Sequence, residues 1–190
     1  DAAERETFVR IDMEDSGTTD ATLELYRGLR ADGRDNVGIV LQAALRRTLA
    51  DITELAPLRP NVRLCKGIYV EPASVAFQDP DAIRRSFVAC LEALLEGGSY
   101  VGVATHDEWL LGETTARVAA LRSDAYELQM LLGVRESRAT ELVAAGHRLR
   151  VYVPYGQRWY EYSLRRLQEN PAMATMVAKA TLGRALGRDA

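Results

Sequence analysis

The chain has 190 residues, 47% of them hydrophobic and 27% charged, with a formal net charge of -3. That is enough chain for one sizeable core, and the composition excludes a disordered tail, a collagen and a disulfide scaffold. The slight acidity leaves no general footprint for nucleic acid, no run of about 18 apolar residues is available to span a membrane, and two cysteines, Cys65 and Cys90, suit a reducing, cytoplasmic setting.

The chain opens at Asp1 with neither a methionine nor a signal peptide, as if cut from something longer. Phe8–Met13 is the first strand candidate and Val37–Gln42 the second; Leu45, Leu49, Ile52 and Leu55 then mark a helix. Val62–Lys66 is the third strand. The clearest helix follows, Pro80–Glu96, with Asp79 as N-cap, Pro80 in the first helical position, Gly97 as stop and Ile83, Phe87, Cys90, Leu91 and Leu94 as its buried stripe. Next come the strand Tyr100–Thr105 and a helix capped by Asp107 that carries Leu110, Leu111, Val118 and Leu121. The strand Tyr126–Leu131 precedes a shorter helix, Arg135–Ala145, closed by Gly146. After the sixth strand, Leu149–Pro154, a helix runs from Arg158 to Asn170, stopped by Pro171, and an alanine-rich helix reaches about Leu186.

Six β-α units in series imply a parallel sheet with right-handed crossovers. Spread over six units, 190 residues give about 32 each, against roughly 31 in an eight-unit barrel of about 250 residues. A doubly wound open sheet has similar spacing, and spacing alone does not choose. A barrel would be short of two units. The chain reads as one domain, 1–190, with no linker or repeat.

Parallel α/β folds keep their chemistry at the C-terminal ends of the strands. Here those ends carry Asp12, Met13, Glu14 and Asp15; Gln42; Arg63, Cys65, Lys66 and Gly67; Thr105, His106 and Asp107; Glu127 and Gln129; and Tyr152 with Tyr155. Lys66 stands out because the chain has two lysines, Lys66 and Lys179, beside 22 arginines. A lysine at a strand end offers a compact charge for phosphate or an amine for a Schiff base; the plain alternative is an edge lysine reaching for water. Gly67 beside it allows close backbone approach to a ligand. His106 with Asp12, Glu14 and Asp107 raises the question of a metal, but metal barrels supply more histidines or a tighter carboxylate set, so no metal is expected. Arg165, Arg166 and Glu169 form either an ordinary helical surface cluster or an anion clamp. Tyr152, Tyr155, Trp159, Tyr160 and Tyr162 crowd the same stretch, which favours a pocket for a small, partly apolar carboxylate.

Five stretches in this order resemble the proline dehydrogenase family: Arg63–Pro72 (RLCKGIYVEP), Ala104–Asp107 (ATHD), Glu127–Gly133 (ELQMLLG), Arg150–Gly156 (RVYVPYG) and Trp159–Pro171 (WYEYSLRRLQENP). The resemblance implies an α/β fold, a distorted (βα)8 TIM-like barrel. This chain would give its third to eighth strands and the helix after the last, without the N-terminal units that carry a substrate-site lysine. It implies a monofunctional bacterial flavoprotein whose FAD oxidises L-proline to Δ1-pyrroline-5-carboxylate by hydride transfer to flavin N5, with a membrane quinone as acceptor and peripheral contact at the inner membrane face. An aldehyde dehydrogenase domain could follow in a bifunctional parent, although the ending Gly187, Arg188, Asp189, Ala190 looks more like a natural terminus.

Carried over residue by residue, the resemblance makes Asp12 and Arg63 catalytic. It gives FAD to Met13, Gln42, Arg63, Lys66, Gly67, Ile68, Thr105, His106, Gln129 and Glu169. It gives the substrate carboxylate to Arg165 and Arg166, and the pocket walls to Tyr152 and Tyr162, with Asp12 partnering Tyr152. Ile68 departs from the alanine common in the family. A Schiff-base lyase or aldolase using Lys66, or a barrel fragment that binds proline without turnover, are the competing readings.

Overall fold

Strand and helix alternate throughout the residues that the computed structural model describes, 2–120 and 124–156. The chain divides into two units, Asp1–Tyr126 and Glu127–Ala190. The first holds β1 (Val9–Ile11), α1 (Thr19–Ala31), β2 (Val37–Gln42), α2 (Thr48–Leu55), β3 (Asn61–Cys65), α3 (Pro80–Glu96), β4 (Tyr100–Ala104) and α4 (Glu108–Val118). In the second are β5 (Tyr126–Leu131), which starts at the boundary, α5 (Glu136–Ala144) and β6 (Leu149–Tyr152). The four strands of the first unit pair in chain order and are all parallel, as are β5 and β6.

Register and the alternation of side chains across a strand sort the first unit's sheet into two unlike faces. Val9 and Ile11 align with Val37 and Ile39, Ile39 with Val62, and Val62 and Leu64 with Val101 and Val103. That face is entirely apolar. On the other, Arg10 aligns with Gly38, Val40 with Arg63, Gln42 with Cys65, Asn61 with Tyr100 and Arg63 with Gly102. β2 is buried along its whole length, whereas β3 alternates, with Val62 and Leu64 buried and Asn61, Arg63 and Cys65 half-buried. The near-continuous apolar runs therefore mean two-sided burial for β2 and a mixed face for β3.

Helices supply the rest of the core. Asp79 caps α3 as expected, its Oδ2 accepting from the Ala82 N–H at 2.9 Å, and Phe87, Cys90, Leu91 and Leu94 are fully buried, whereas Ile83, in the first turn, is only half-buried. Each such apolar side chain contributes roughly 1.5–3 kcal/mol relative to exposure. Gly97 ends the helix in a right-handed conformation, and the left-handed turn falls on Gly98, at φ +69°. Leu110, Leu111 and Val118 of α4 are buried with Thr114; Leu121 lies outside the described residues.

The expected bounds change at α2 and at four strands. α2 starts at Thr48, so Leu45 is buried in the preceding turn, and Leu49 is exposed. The inward stripe is Thr48, Asp51, Ile52 and Leu55. Its polar members are satisfied locally: Thr48 Oγ1 donates to the Gln42 carbonyl at 2.5 Å, and Asp51 receives a fork from Arg47 at 2.9 and 3.0 Å. β1 stops at Ile11, not Met13, because the Met13 N–H turns to the Asp12 carboxylate, Oδ1 at 3.0 Å, instead of the ladder. β3, β4 and β6 likewise end before Lys66, Thr105 and Pro154. The two helices expected after residue 157 lie outside the described residues.

Candidate functional site

The C-terminal ends of β1, β2 and β3 come together on the polar face. Arg63 Nη1 stands 3.6 Å from Asp12 Oδ1, the guanidinium largely covered and the carboxylate exposed. Gln42 is buried, and its Nε2 donates to the Glu14 carbonyl at 2.8 Å and, at 3.5 Å, to that of Met13. The amide thus ties the end of β2 to the chain leaving β1, and Met13 is buried beside it. Cys65, next in the row, points its Sγ at the Leu41 carbonyl, 3.6 Å away. Burial pushes its thiol above the ordinary value and Asp12 adds to this, against the opposing effects of Arg63 and a backbone hydrogen bond from Gly67.

Beyond β3 the backbone keeps bonding to its neighbour: Ala43 and Ala44 N–H groups donate to the Cys65 and Lys66 carbonyls at 2.8 and 2.7 Å. Gly67 then takes φ +102°, and a Cβ there would lie 3.3 Å from Gln42 Oε1 and 3.4 Å from Ala44 Cβ. The segment 68–79 is fastened on both sides. Glu71 receives the Ser16 N–H and hydroxyl, both at 2.7 Å, and Tyr69 donates to Glu14. On the other side the Phe77 N–H donates to the Ala44 carbonyl at 2.8 Å, and Arg46 lies over the Phe77 ring while donating to the Ala73 carbonyl. Ile68 is half-buried within this segment, and Val70 is 94% exposed.

β4 adds Thr105, His106 and Asp107. Asp107 was expected as a helix cap and is one: Oδ1 accepts from the Trp109 N–H at 3.1 Å, and its own N–H donates to Thr105 Oγ1 at 3.1 Å. Its side chain is only 8% exposed, yet Oδ2 meets two cations, Lys66 Nζ at 3.2 Å and Arg84 Nε at 2.9 Å. Burial alone would raise its pKa; the hydrogen bonds and charges of Arg84 and Lys66 outweigh burial and hold the carboxyl below its ordinary value. Thr105 is buried and His106 half-buried. Among the described residues, no group of three or more His, Cys, Asp or Glu side chains is placed to hold a metal ion.

In the second unit, Glu127 on β5 is almost fully buried. It receives Gln129 Nε2 at 2.7 Å and a fork from Arg150 at 2.6 and 2.8 Å. Tyr152, half-buried, ends β6, and its carbonyl accepts from the Leu132 N–H at 3.0 Å. Asp12 and Tyr152, paired by the resemblance, belong to different units. Tyr162, Arg165, Arg166 and Glu169 lie outside the described residues, as do Trp159 and Tyr160.

Of the expected residues, then, Asp12 meets Arg63, Gln42 meets Met13 and Gly67, and Lys66 is joined through Asp107 to Thr105. Sequence reasoning missed Arg84 as a partner of Asp107, and it missed the fastening of Glu71 to Ser16 and of Tyr69 to Glu14. The acid in the run Lys66–Glu71 was the one visible signal for the second of these.

The profile of the proline dehydrogenase family matches residues 1–179. The chain is 42% identical over 178 residues to the proline dehydrogenase of Deinococcus radiodurans, covering 92% of this chain and 57% of that protein. It is 40% identical over 183 residues to proline dehydrogenase 1 of Bacillus subtilis strain 168, covering 95% and 60%. The chain therefore spans less than two thirds of the relatives it matches. Among solved structures it is similar to proline utilization A from Bdellovibrio bacteriovorus inactivated by N-propargylglycine, with a TM-score of 0.79 and 26% identity over 87% of this chain and 20% of that one. A bifunctional proline utilization A protein gives a TM-score of 0.81 and 25% identity over 96% and 21%.

Proposed function

The chain belongs to the proline dehydrogenase family, and from that premise we propose that it forms most of the catalytic barrel of an enzyme oxidising L-proline to Δ1-pyrroline-5-carboxylate, the first step of proline catabolism. The domain is read as a (βα)8 barrel, of which this chain gives six units. The observation that carries the reading is the row Asp12, Gln42, Arg63 and Gly67 on one sheet face, at the C-terminal ends of three adjacent parallel strands.

The residues present fit FAD in two respects. The polar set, Arg63, Lys66 and the Gln42 amide, whose Nε2 is engaged and whose Oε1 is an acceptor, with Thr105 and His106 beyond, suits a cofactor that pairs a polar ring edge with phosphates. Gly67 leaves beside Gln42 a space that a Cβ would fill. Bound FAD would supply, at N5, the acceptor for the hydride that leaves proline C5. Arg63 offers a guanidinium where negative charge develops, and Asp12 orients it. Lys66 is the charge for phosphate, with Gly67 and Ile68 lending backbone. Met13, Thr105, His106 and Gln129 complete the cofactor contacts with Glu169, while Arg165 and Arg166 take the proline carboxylate between Tyr152 and Tyr162. A membrane quinone is the proposed final acceptor, reached from the cytoplasmic side by peripheral contact. Among the described residues no helix is long and apolar enough to cross a membrane.

A Schiff-base lyase needs a neutral amine, which apolar or cationic surroundings favour. The partner of Lys66 is instead a buried carboxylate, which speaks for the flavin reading. Protein expressed from the full open reading frame with added FAD is expected to be yellow and to bleach anaerobically with L-proline. A protein that never binds flavin, or that is trapped by borohydride with a carbonyl substrate at Lys66, overturns the reading. Arg165→Met or Arg166→Met is expected to weaken proline binding far more than flavin binding; equal losses count against the clamp.

A further inference from the structure

We infer that Asp107 is a positioning residue: it holds the Lys66 ammonium in place at the end of β3, so that the charge meets a ligand phosphate already ordered. The inference rests on the flavin reading and extends it to a residue that acts through Lys66.

Asp107 is itself tied at several atoms. Its backbone N–H is held by Thr105, one carboxylate oxygen caps α4 through Trp109, and the side chain is almost wholly covered. Arg84, at 2.9 Å, meets the same carboxylate oxygen, and that guanidinium is also anchored by Asp81 at 3.0 Å. Lys66 is thus one of two cations gathered on a carboxylate that is already fixed by its own backbone and cap bonds. What the second cation gains is a fixed position. A lysine side chain carries about 2 kcal/mol of rotamer entropy, which a ligand would otherwise have to remove on binding.

The residue type fits the role. An arginine here would lay its planar fork on the carboxylate, whereas an ammonium has three hydrogens on a point charge. Among the described residues, Asp107 is the one partner of that ammonium. The Lys66 side chain remains 43% exposed, so the contact with Asp107 does not bury it. In a chain with 22 arginines, the lysine is the residue that can be held and still bind.

The test is a double-mutant cycle read by FAD affinity, from flavin fluorescence quenching, in the protein from the full open reading frame. Asp107→Asn keeps a good N-cap and removes the charge. It is expected to weaken FAD binding about tenfold, within the range for coupled contacting residues. Lys66→Met should weaken binding at least as much, and adding Asp107→Asn to Lys66→Met should change nothing further. An equal loss in both backgrounds means that Asp107 only supports the fold, and FAD binding that is unchanged or tighter in Asp107→Asn means that it only neutralises Lys66; either overturns the inference while leaving the flavin reading intact. Wild-type protein that binds no FAD overturns both, and is seen before any substitution. Should Asp107→Asn not fold, Asp107→Ser, which also keeps an N-cap oxygen and removes the charge, replaces it in the same cycle with the same criteria.

Discussion

The two ends of the polar sheet face use the same kinds of residue for opposite purposes. At the N-terminal end Arg10 lies across the strands and donates to the Ile39 and Asn61 carbonyls, both at 3.2 Å, and to Asn61 Oδ1 at 2.5 Å. Phe8 stacks on it, and Gly38 beneath leaves it room. At the C-terminal end an arginine, an amide and a glycine recur as Arg63, Gln42 and Gly67; there Arg63 stands 3.6 Å from the exposed Asp12 carboxylate, and the Lys66 side chain stays partly open. The first end is tied down by hydrogen bonds to the strands beneath it; the second leaves the Lys66 side chain and the Asp12 carboxylate accessible. Which end of the strand a residue occupies, more than its type, decides whether it serves stability or binding.

Substitutions at the two ends should therefore separate stability from function. Gly38→Val is expected to have the largest effect, since a Cβ there falls 2.6 Å from both the Asn61 carbonyl oxygen and the Phe8 ring. Overpacking of this kind costs about 3 kcal/mol, and thermal unfolding should show a fall of roughly 6–12 °C, with flavin affinity unchanged in the protein that remains folded. Arg63→Met should do the reverse, lowering proline turnover about a hundredfold, or about 2.7 kcal/mol of barrier, with little movement of the melting temperature. A large melting shift for Arg63→Met would erase the contrast.

Gly67→Ala sits between them. Its new Cβ presses on Gln42 Oε1 at 3.3 Å, φ +102° strains any L-residue, at about 1–2 kcal/mol, and flavin affinity should drop with stability. The smallest effect concerns acid. Asp107 is held below its ordinary 3.8 in the folded chain. A carboxylate of this kind gives stability that is complete above its unfolded value and is lost as pH falls through its folded value. Acid titration of unfolding below about pH 4 should thus show a steeper loss for the wild type than for Asp107→Asn; parallel curves would remove the ion pairs from the account.

Much of the scaffold was legible because local signals agreed. Pro80–Glu96 has a cap, a proline and a glycine stop in the right places, and β2 and β5 are bounded as read. α1 was not, since Leu23 and Tyr26 are its only buried apolar anchors and too sparse to make a stripe. Leu49 misled because Asp51 is buried in its stead, held by an arginine outside the helix. At the site, strand ends marked Asp12, Gln42, Arg63 and Lys66. The partnership of Asp107 with Arg84 was invisible because it joins residues 23 apart on different elements, and the bonds from Ser16 to Glu71 span 55. Such pairings depend on how strands are laid side by side, which no local pattern encodes.

Cys65 carries a chemical consequence of its own. It stands in the polar row, level with Gln42 and two residues from Arg63, where a sulfur nucleophile would meet whatever binds. The species that attacks electrophiles or is oxidised is the thiolate, and burial pushes Cys65 away from that form. Cys90, buried in α3, is pushed up to about 11. Both sulfurs therefore stay protonated at neutral pH, and Cys65 offers slow alkylation and slow peroxide chemistry beside groups arranged for binding.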